Sequence, residues 1–74
     1  MTTDYKACLL VEGRNRAATE LKIQSKLLQY QALALEGADE ALQQNVRAEV
    51  HALVDMQMDH IAIQMHCIRN LPAD

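Results

Sequence analysis

The sequence predicts an all-α protein, an antiparallel helical hairpin with a short N-terminal helix. Half of its 74 residues are hydrophobic, yet there is no Phe or Trp and there are only two Tyr. Two Gly and one Pro are too few for the turns that would connect several short strands. The apolar fraction is too high, and the net charge of −3 too small, for intrinsic disorder. Helices are therefore expected along most of the chain.

Two breaks separate the predicted helices, and a third signal ends the last one. Gly37 suits the left-handed residue that ends a helix, and Asp39 suits the N-cap of the next one. A weaker break is expected at Gly13, because a glycine costs a helix about 1 kcal/mol. The last helix should end at Asn70-Leu71-Pro72, because a residue before proline leaves the helical region. The expected helices are about 4–12, 14–35 and 40–69, in a single domain over residues 1–74.

The first long helix has two apolar faces. At 100° per residue, Leu21, Leu28 and Leu35 share one face, while Ile23, Leu27, Tyr30 and Ala34 form a second. One face can pack on the other arm of the hairpin, and the other face has no partner within the chain. A chain this short also forms only a marginal core of its own. We expect the face of Ile23 to meet a second chain.

The last helix has an apolar arc that widens toward its C-terminal end. The arc is broader there than one neighbouring helix covers, and a methionine-rich surface is typical of adaptable protein contacts. The alternative is that the short N-terminal helix covers this arc. The residues predicted to bind a partner on both helices are Ile23, Leu27, Tyr30, Met56, Ile63 and Cys67.

Few residues point to catalysis or to metal binding. His51, Asp55 and Asp59 follow one another at i,i+4, with His66 seven residues further on, and such side chains can bind Zn²⁺. There is no HExxH pattern, so a solvated polar face explains them more simply. His66 and Cys67 are adjacent and point about 100° apart on a helix, which is poor geometry for proton transfer. A non-catalytic protein without metal or cofactor is expected.

Charge and hydropathy limit the partners and the compartment. Seven Lys and Arg against ten Asp and Glu disfavour a broad nucleic-acid surface. No stretch of about 18 apolar residues is present, so no membrane span is expected. Met1-Thr2-Thr3-Asp4 lacks the basic start of a signal peptide, and a cytoplasmic location is expected.

The two cysteines are predicted to lie near each other. With the turn centred between Gly37 and Ala38, residue i faces roughly residue 75 − i, so Cys8 falls opposite Cys67. Packed helices have axes about 8–10 Å apart, and a disulfide needs Cα atoms within about 7 Å. We expect two neighbouring thiols that stay reduced in the cytosol.

Residues around the turn resemble a known family. The chain is similar to the small E-type co-chaperones of type III secretion needle subunits, over roughly residues 1–68 and most closely over 34–53. The segments that carry the resemblance are Met1-Thr2-Thr3, Val11-Glu12, Ala34-Leu35-Glu36-Gly37-Ala38-Asp39, Gln43-Gln44, Arg47-Ala48-Glu49 and Ala52-Leu53.

The resemblance implies a binding role in the cytoplasm. Members of the family pair with a second co-chaperone built of tetratricopeptide-like helical repeats, and together they hold the needle subunit monomeric before export. The alternative is a homodimeric four-helix bundle that regulates by binding RNA or a regulatory protein. Positive charge for such an RNA surface would come from Arg14, Arg16, Lys22 and Lys26 on the first long helix.

Overall fold

A computed structural model describes residues 4–72 as two long helices packed against each other. Helix α1 spans Tyr5–Glu36 and helix α2 spans Glu40–Arg69. The predicted all-α hairpin is confirmed. The molecule is a rod of 56 × 17 × 15 Å with a radius of gyration of 16.9 Å, against about 11 Å for a compact chain of this length. Residues 1–3, which belong to the resemblance, and residues 73–74 lie outside the described part. Neither helix has a stretch apolar enough to cross a membrane within that part.

The turn is built on Gly37. Its φ of 67° places it in the left-handed region, where a side chain is strained. The N–H of Gly37 donates to the Ala34 carbonyl and the N–H of Ala38 donates to the Leu33 carbonyl, at 3.3 and 3.0 Å. This pair of bonds is the Schellman motif, which satisfies the last carbonyls of α1. The turn therefore lies where the sequence predicts it.

Capping side chains define where the helices begin. Asp4 Oδ1 accepts a hydrogen bond from the Ala7 N–H at 3.0 Å, and Asp39 Oδ1 accepts one from the Ala41 N–H at 3.3 Å. At the end of α2, the Asn70 side chain donates to the His66 carbonyl at 2.8 Å, two residues before Pro72. Helix α2 thus begins and ends at the residues that these signals favour.

Helix α1 runs through Gly13 without interruption. This corrects the predicted break: the two helices expected over 4–12 and 14–35 are one helix. A Cβ added at Gly13 would meet Gln64 Nε2 at 3.4 Å, so the glycine lies against α2. Packing along α2 keeps the helix continuous, because tertiary contact outweighs a propensity difference of about 1 kcal/mol.

The contact between the helices buries few apolar side chains. The described hydrophobic residues that are buried are Ile23, Val46 and Cys67, at 6%, 3% and 1% exposure, and Thr19 is a buried polar residue at 5%. Along α2, the covered positions alternate in steps of three and four, as in a coiled coil. Those positions are Gln43, Val46, Val50, Leu53, Gln57, His60, Gln64 and Cys67, and the pattern continues beyond the helix at Leu71. Half-buried Ile61 lies outside this pattern.

The two glycines should respond in opposite directions to the same substitution. Gly13→Ala should stabilise the hairpin by about 0.5–1 kcal/mol, because it removes backbone freedom from the interior of α1. Gly37→Ala should destabilise it by about 1–2 kcal/mol, because a Cβ resists the left-handed conformation. Thermal unfolding followed by circular dichroism measures both. A fall in melting temperature for Gly13→Ala would contradict a continuous α1 with room beside Gln64.

Candidate functional site

Polar side chains occupy the contact in the half of the hairpin that lies away from the turn. His60 Nδ1 lies 2.5 Å from Glu12 Oε2, and both side chains are mostly covered. Gln57 donates a hydrogen bond to Glu20 across the same contact. These side chains therefore satisfy one another inside the hairpin.

Further polar contacts lie at the two ends of the interface. The Tyr5 and His66 rings meet edge to face, with centroids 5.8 Å apart and planes at 72°. Toward the turn, Lys26 Nζ lies 2.5 Å from Glu49 Oε2. Both of the latter side chains are substantially exposed, so this ion pair adds at most about 1 kcal/mol.

The two cysteines meet at the open end, as the register predicts. Cys67 Sγ donates to Cys8 Sγ at 2.9 Å, and both thiols are free. Cys67 is buried and Cys8 is half-buried. The hydrogen bond with Cys8, and then burial, raise the pKa of the Cys67 thiol from 9.0 to about 11. Cys67 therefore carries its proton at neutral pH.

The largest apolar side chains of α1 lie on the side away from α2. Leu21 and the buried Ile23 are two positions apart, which is about 200° around a helix. Leu21, Leu28 and Leu35 follow one another at seven-residue intervals and are 67%, 67% and 81% exposed. We call these three residues the outer leucine stripe. Three large apolar side chains are thus left uncovered on one side of α1.

A second exposed apolar row lies on α2 toward its C-terminal end. Its members step by four, three, four and three residues, so they share one face of the helix. Apart from the half-buried Ile61, they are exposed. We call this row the methionine flank, and it consists of Val54, Met58, Ile61, Met65 and Ile68.

The structure separates the six residues that the sequence assigned to a partner. Ile23, Tyr30 and Cys67 are at least partly covered within the hairpin, and Ile23 and Cys67 are buried. The face of α1 left without a neighbour is therefore the leucine face, and the face of Ile23 packs on α2. Leu27, Met56 and Ile63 are exposed at 49%, 48% and 40%, and their part in partner binding stays a prediction.

Met58 was missed by the sequence analysis. The steps of three and four through Val54, Met58 and Ile61 were the available signal.

The histidines and carboxylates do not converge on a metal site in the described part of the chain. Over residues 4–72, no three His, Cys, Asp or Glu side chains are grouped closely enough to hold a metal ion. Of the proposed ligands, His51, Asp55, Asp59 and His66 are all exposed on α2.

Comparison with protein-family models, with curated proteins and with solved structures finds no match to this chain.

The raised pKa of Cys67 predicts a pH dependence of stability. The unfolded chain releases this proton near pH 9 and the folded chain near pH 11, so the folded state binds more protons between these values. The contribution of Cys67 to the free energy of unfolding should be constant below about pH 9, and it should be lost as the pH rises toward 11. Urea unfolding with a reducing agent measures this, with Cys67→Ala as the control. An equal fall in Cys67→Ala would assign the effect to other groups.

Proposed function

We propose that this hairpin is a non-catalytic binding protein whose outer leucine stripe packs on the apolar surface of another protein. The observation that carries the proposal is the exposure of Leu21, Leu28 and Leu35 beside a contact that buries so few apolar side chains. Full burial of one leucine contributes about 1.5–3 kcal/mol. A partner over the stripe supplies apolar burial that the hairpin lacks by itself.

The spacing of the stripe favours a helical partner. Leucines at seven-residue intervals stay in line along one side of a supercoiled helix and fit between the side chains of a facing helix. The methionine flank is a separate apolar row on α2 in the half of the rod away from the turn, where flexible Met58 and Met65 adapt to an irregular neighbour.

Within this function, we assign the chain the role of a cytoplasmic co-chaperone of a type III secretion needle subunit. The support is the sequence resemblance around the turn, closest over residues 34–53. In this role the hairpin pairs with a co-chaperone of tetratricopeptide-like helical repeats. The pair binds the monomeric needle subunit and thereby stabilises the monomer by mass action before export.

A second candidate is a homodimeric four-helix bundle that regulates RNA or another protein. The seven-residue spacing of Leu21, Leu28 and Leu35 favours it, because the same row on two copies makes a self-complementary contact. Positive charge beside the row is limited. Among the four basic residues of this α1 surface, Lys26 already pairs with Glu49.

Removing the stripe should abolish association. The variant Leu21→Gln, Leu28→Gln and Leu35→Gln keeps helix propensity nearly constant and should remain helical by circular dichroism. Its affinity for the partner should fall by at least about 100-fold, since each buried leucine anchor contributes more than about 1 kcal/mol. A pull-down from the native host with mass spectrometry, followed by titration with the captured protein, measures the loss.

The matched control is Asn15→Gln with Gln29→Ala, two exposed positions on α1 that lie about 80° or more from every leucine of the stripe. It should bind like the unchanged protein. Sedimentation equilibrium of the isolated chain separates the two candidates. A monomer that captures a helical-repeat protein and a needle subunit supports the co-chaperone. A stable dimer that shifts an RNA supports the second candidate, and equal binding by the stripe variant contradicts both.

A further inference from the structure

The open end of the hairpin holds a pair of thiols that neither helix needs for its own formation. Cys8 and Cys67 are 59 positions apart in the chain, and their Sγ atoms lie 2.9 Å apart. They lie on different helices, near the start of α1 and the end of α2. In residues 4–72, the turn that joins the two helices lies at the opposite end of a 56 Å rod.

The contacts near the thiols are polar. The pair Glu12–His60, the bond between Gln57 and Glu20, and the edge-to-face contact of Tyr5 with His66 hold this half of the hairpin. Of the buried apolar residues, Ile23 and Val46 lie in the half nearer the turn, and Cys67 lies in this half. The ends of the helices far from the turn open more readily, because the turn holds the helices together only at the other end. A covalent link at the open end would therefore restrain the two helix ends that the turn does not connect.

We propose that Cys8 and Cys67 are a redox modification site that forms a reversible disulfide and thereby links the free end of α1 to that of α2. The inference is independent of the partner proposed above, because it concerns the isolated chain. The two sulfur atoms lie 2.9 Å apart, so the S–S bond length of about 2 Å requires a further approach of about 1 Å. The side chains of Cys8 and Cys67 already point toward each other across the contact.

The oxidant we assign is a low-molecular-weight disulfide such as oxidised glutathione. Cys8 is the more exposed thiol, so its thiolate attacks one glutathione sulfur, and one glutathione thiolate leaves. The buried Cys67 then loses its proton and attacks Cys8 Sγ, and the second glutathione leaves as a thiolate. In sum, two protein thiols and one oxidised glutathione give one protein disulfide and two reduced glutathione molecules, with two electrons transferred.

The experiment uses the full chain, reduced and dilute, in buffers with increasing ratios of oxidised to reduced glutathione. Free thiols are then blocked with N-ethylmaleimide and the products are identified by mass spectrometry. The expected product is a monomer that carries neither N-ethylmaleimide nor glutathione and has lost two hydrogen atoms. Its equilibrium constant against glutathione should be about 10- to 1,000-fold larger than in strong denaturant, because the fold holds the thiols together. The oxidised chain should melt more than about 10 °C higher than the reduced chain.

The matched control moves one thiol to another face. Cys8→Ser with Leu10→Cys keeps two thiols and nearly the same loop length, but Leu10 is 62% exposed and lies two positions, or about 200° around α1, from Cys8. In this variant the equilibrium constant should fall at least 10-fold toward the value in denaturant. Circular dichroism should show the same helicity in the reduced and oxidised forms of the unchanged chain. Mixed disulfides with glutathione, intermolecular crosslinks, equal constants with and without denaturant, or loss of helicity on oxidation would each overturn the proposal.

Discussion

A hairpin of two helices has one contact in which to bury side chains, and here that contact is partly polar. Glu12 meets His60 and Glu20 meets Gln57 inside it, while Ile23 and Val46 are buried nearer the turn. Each helix keeps its largest apolar side chains elsewhere. Because mutually bonded polar groups in a contact specify an arrangement better than they stabilise it, the hairpin gains a definite register and little apolar burial. Because the contact is partly polar, the leucines of the outer stripe on α1 and the methionines of α2 remain exposed.

The register depends on the turn as well as on the polar pairs. Gly37 reverses the chain in a Schellman motif, and Asp39 begins α2 two residues later. Once this short turn is fixed, the facing positions follow along the length of the rod. Lys26 meets Glu49 and Cys8 meets Cys67 in the same register. A turn of few residues at one end therefore positions two thiols at the other end.

Much of this fold is predictable from local signals. The left-handed Gly37, the cap at Asp39 and the stop before Pro72 are each caused by one residue and its immediate neighbours, and the position of Cys67 opposite Cys8 follows by counting. The continuity of α1 through Gly13 is not predictable in this way, because packing against Gln64 decides it.

The face that α1 turns toward α2 also depends on tertiary contacts. The leucine row and the row of Ile23 are both apolar enough to be buried, and the choice between them depends on polar partners. Glu12 and His60 look like surface residues when each is considered alone. Their pairing across the contact is visible only once the register is known. The covered side of α2 includes glutamines and a histidine, so a pattern of apolar residues alone does not identify it.

The elongated shape has a practical consequence for hydrodynamic measurements. A rod of 56 × 17 × 15 Å diffuses and elutes like a larger sphere, since frictional drag depends on length more than on mass. An isolated chain of 8.3 kDa would leave a gel-filtration column ahead of globular standards of the same mass. Its elution volume would then resemble that of a compact dimer. The number of chains in any complex of this protein has to be read from light scattering or sedimentation equilibrium, which report mass independently of shape.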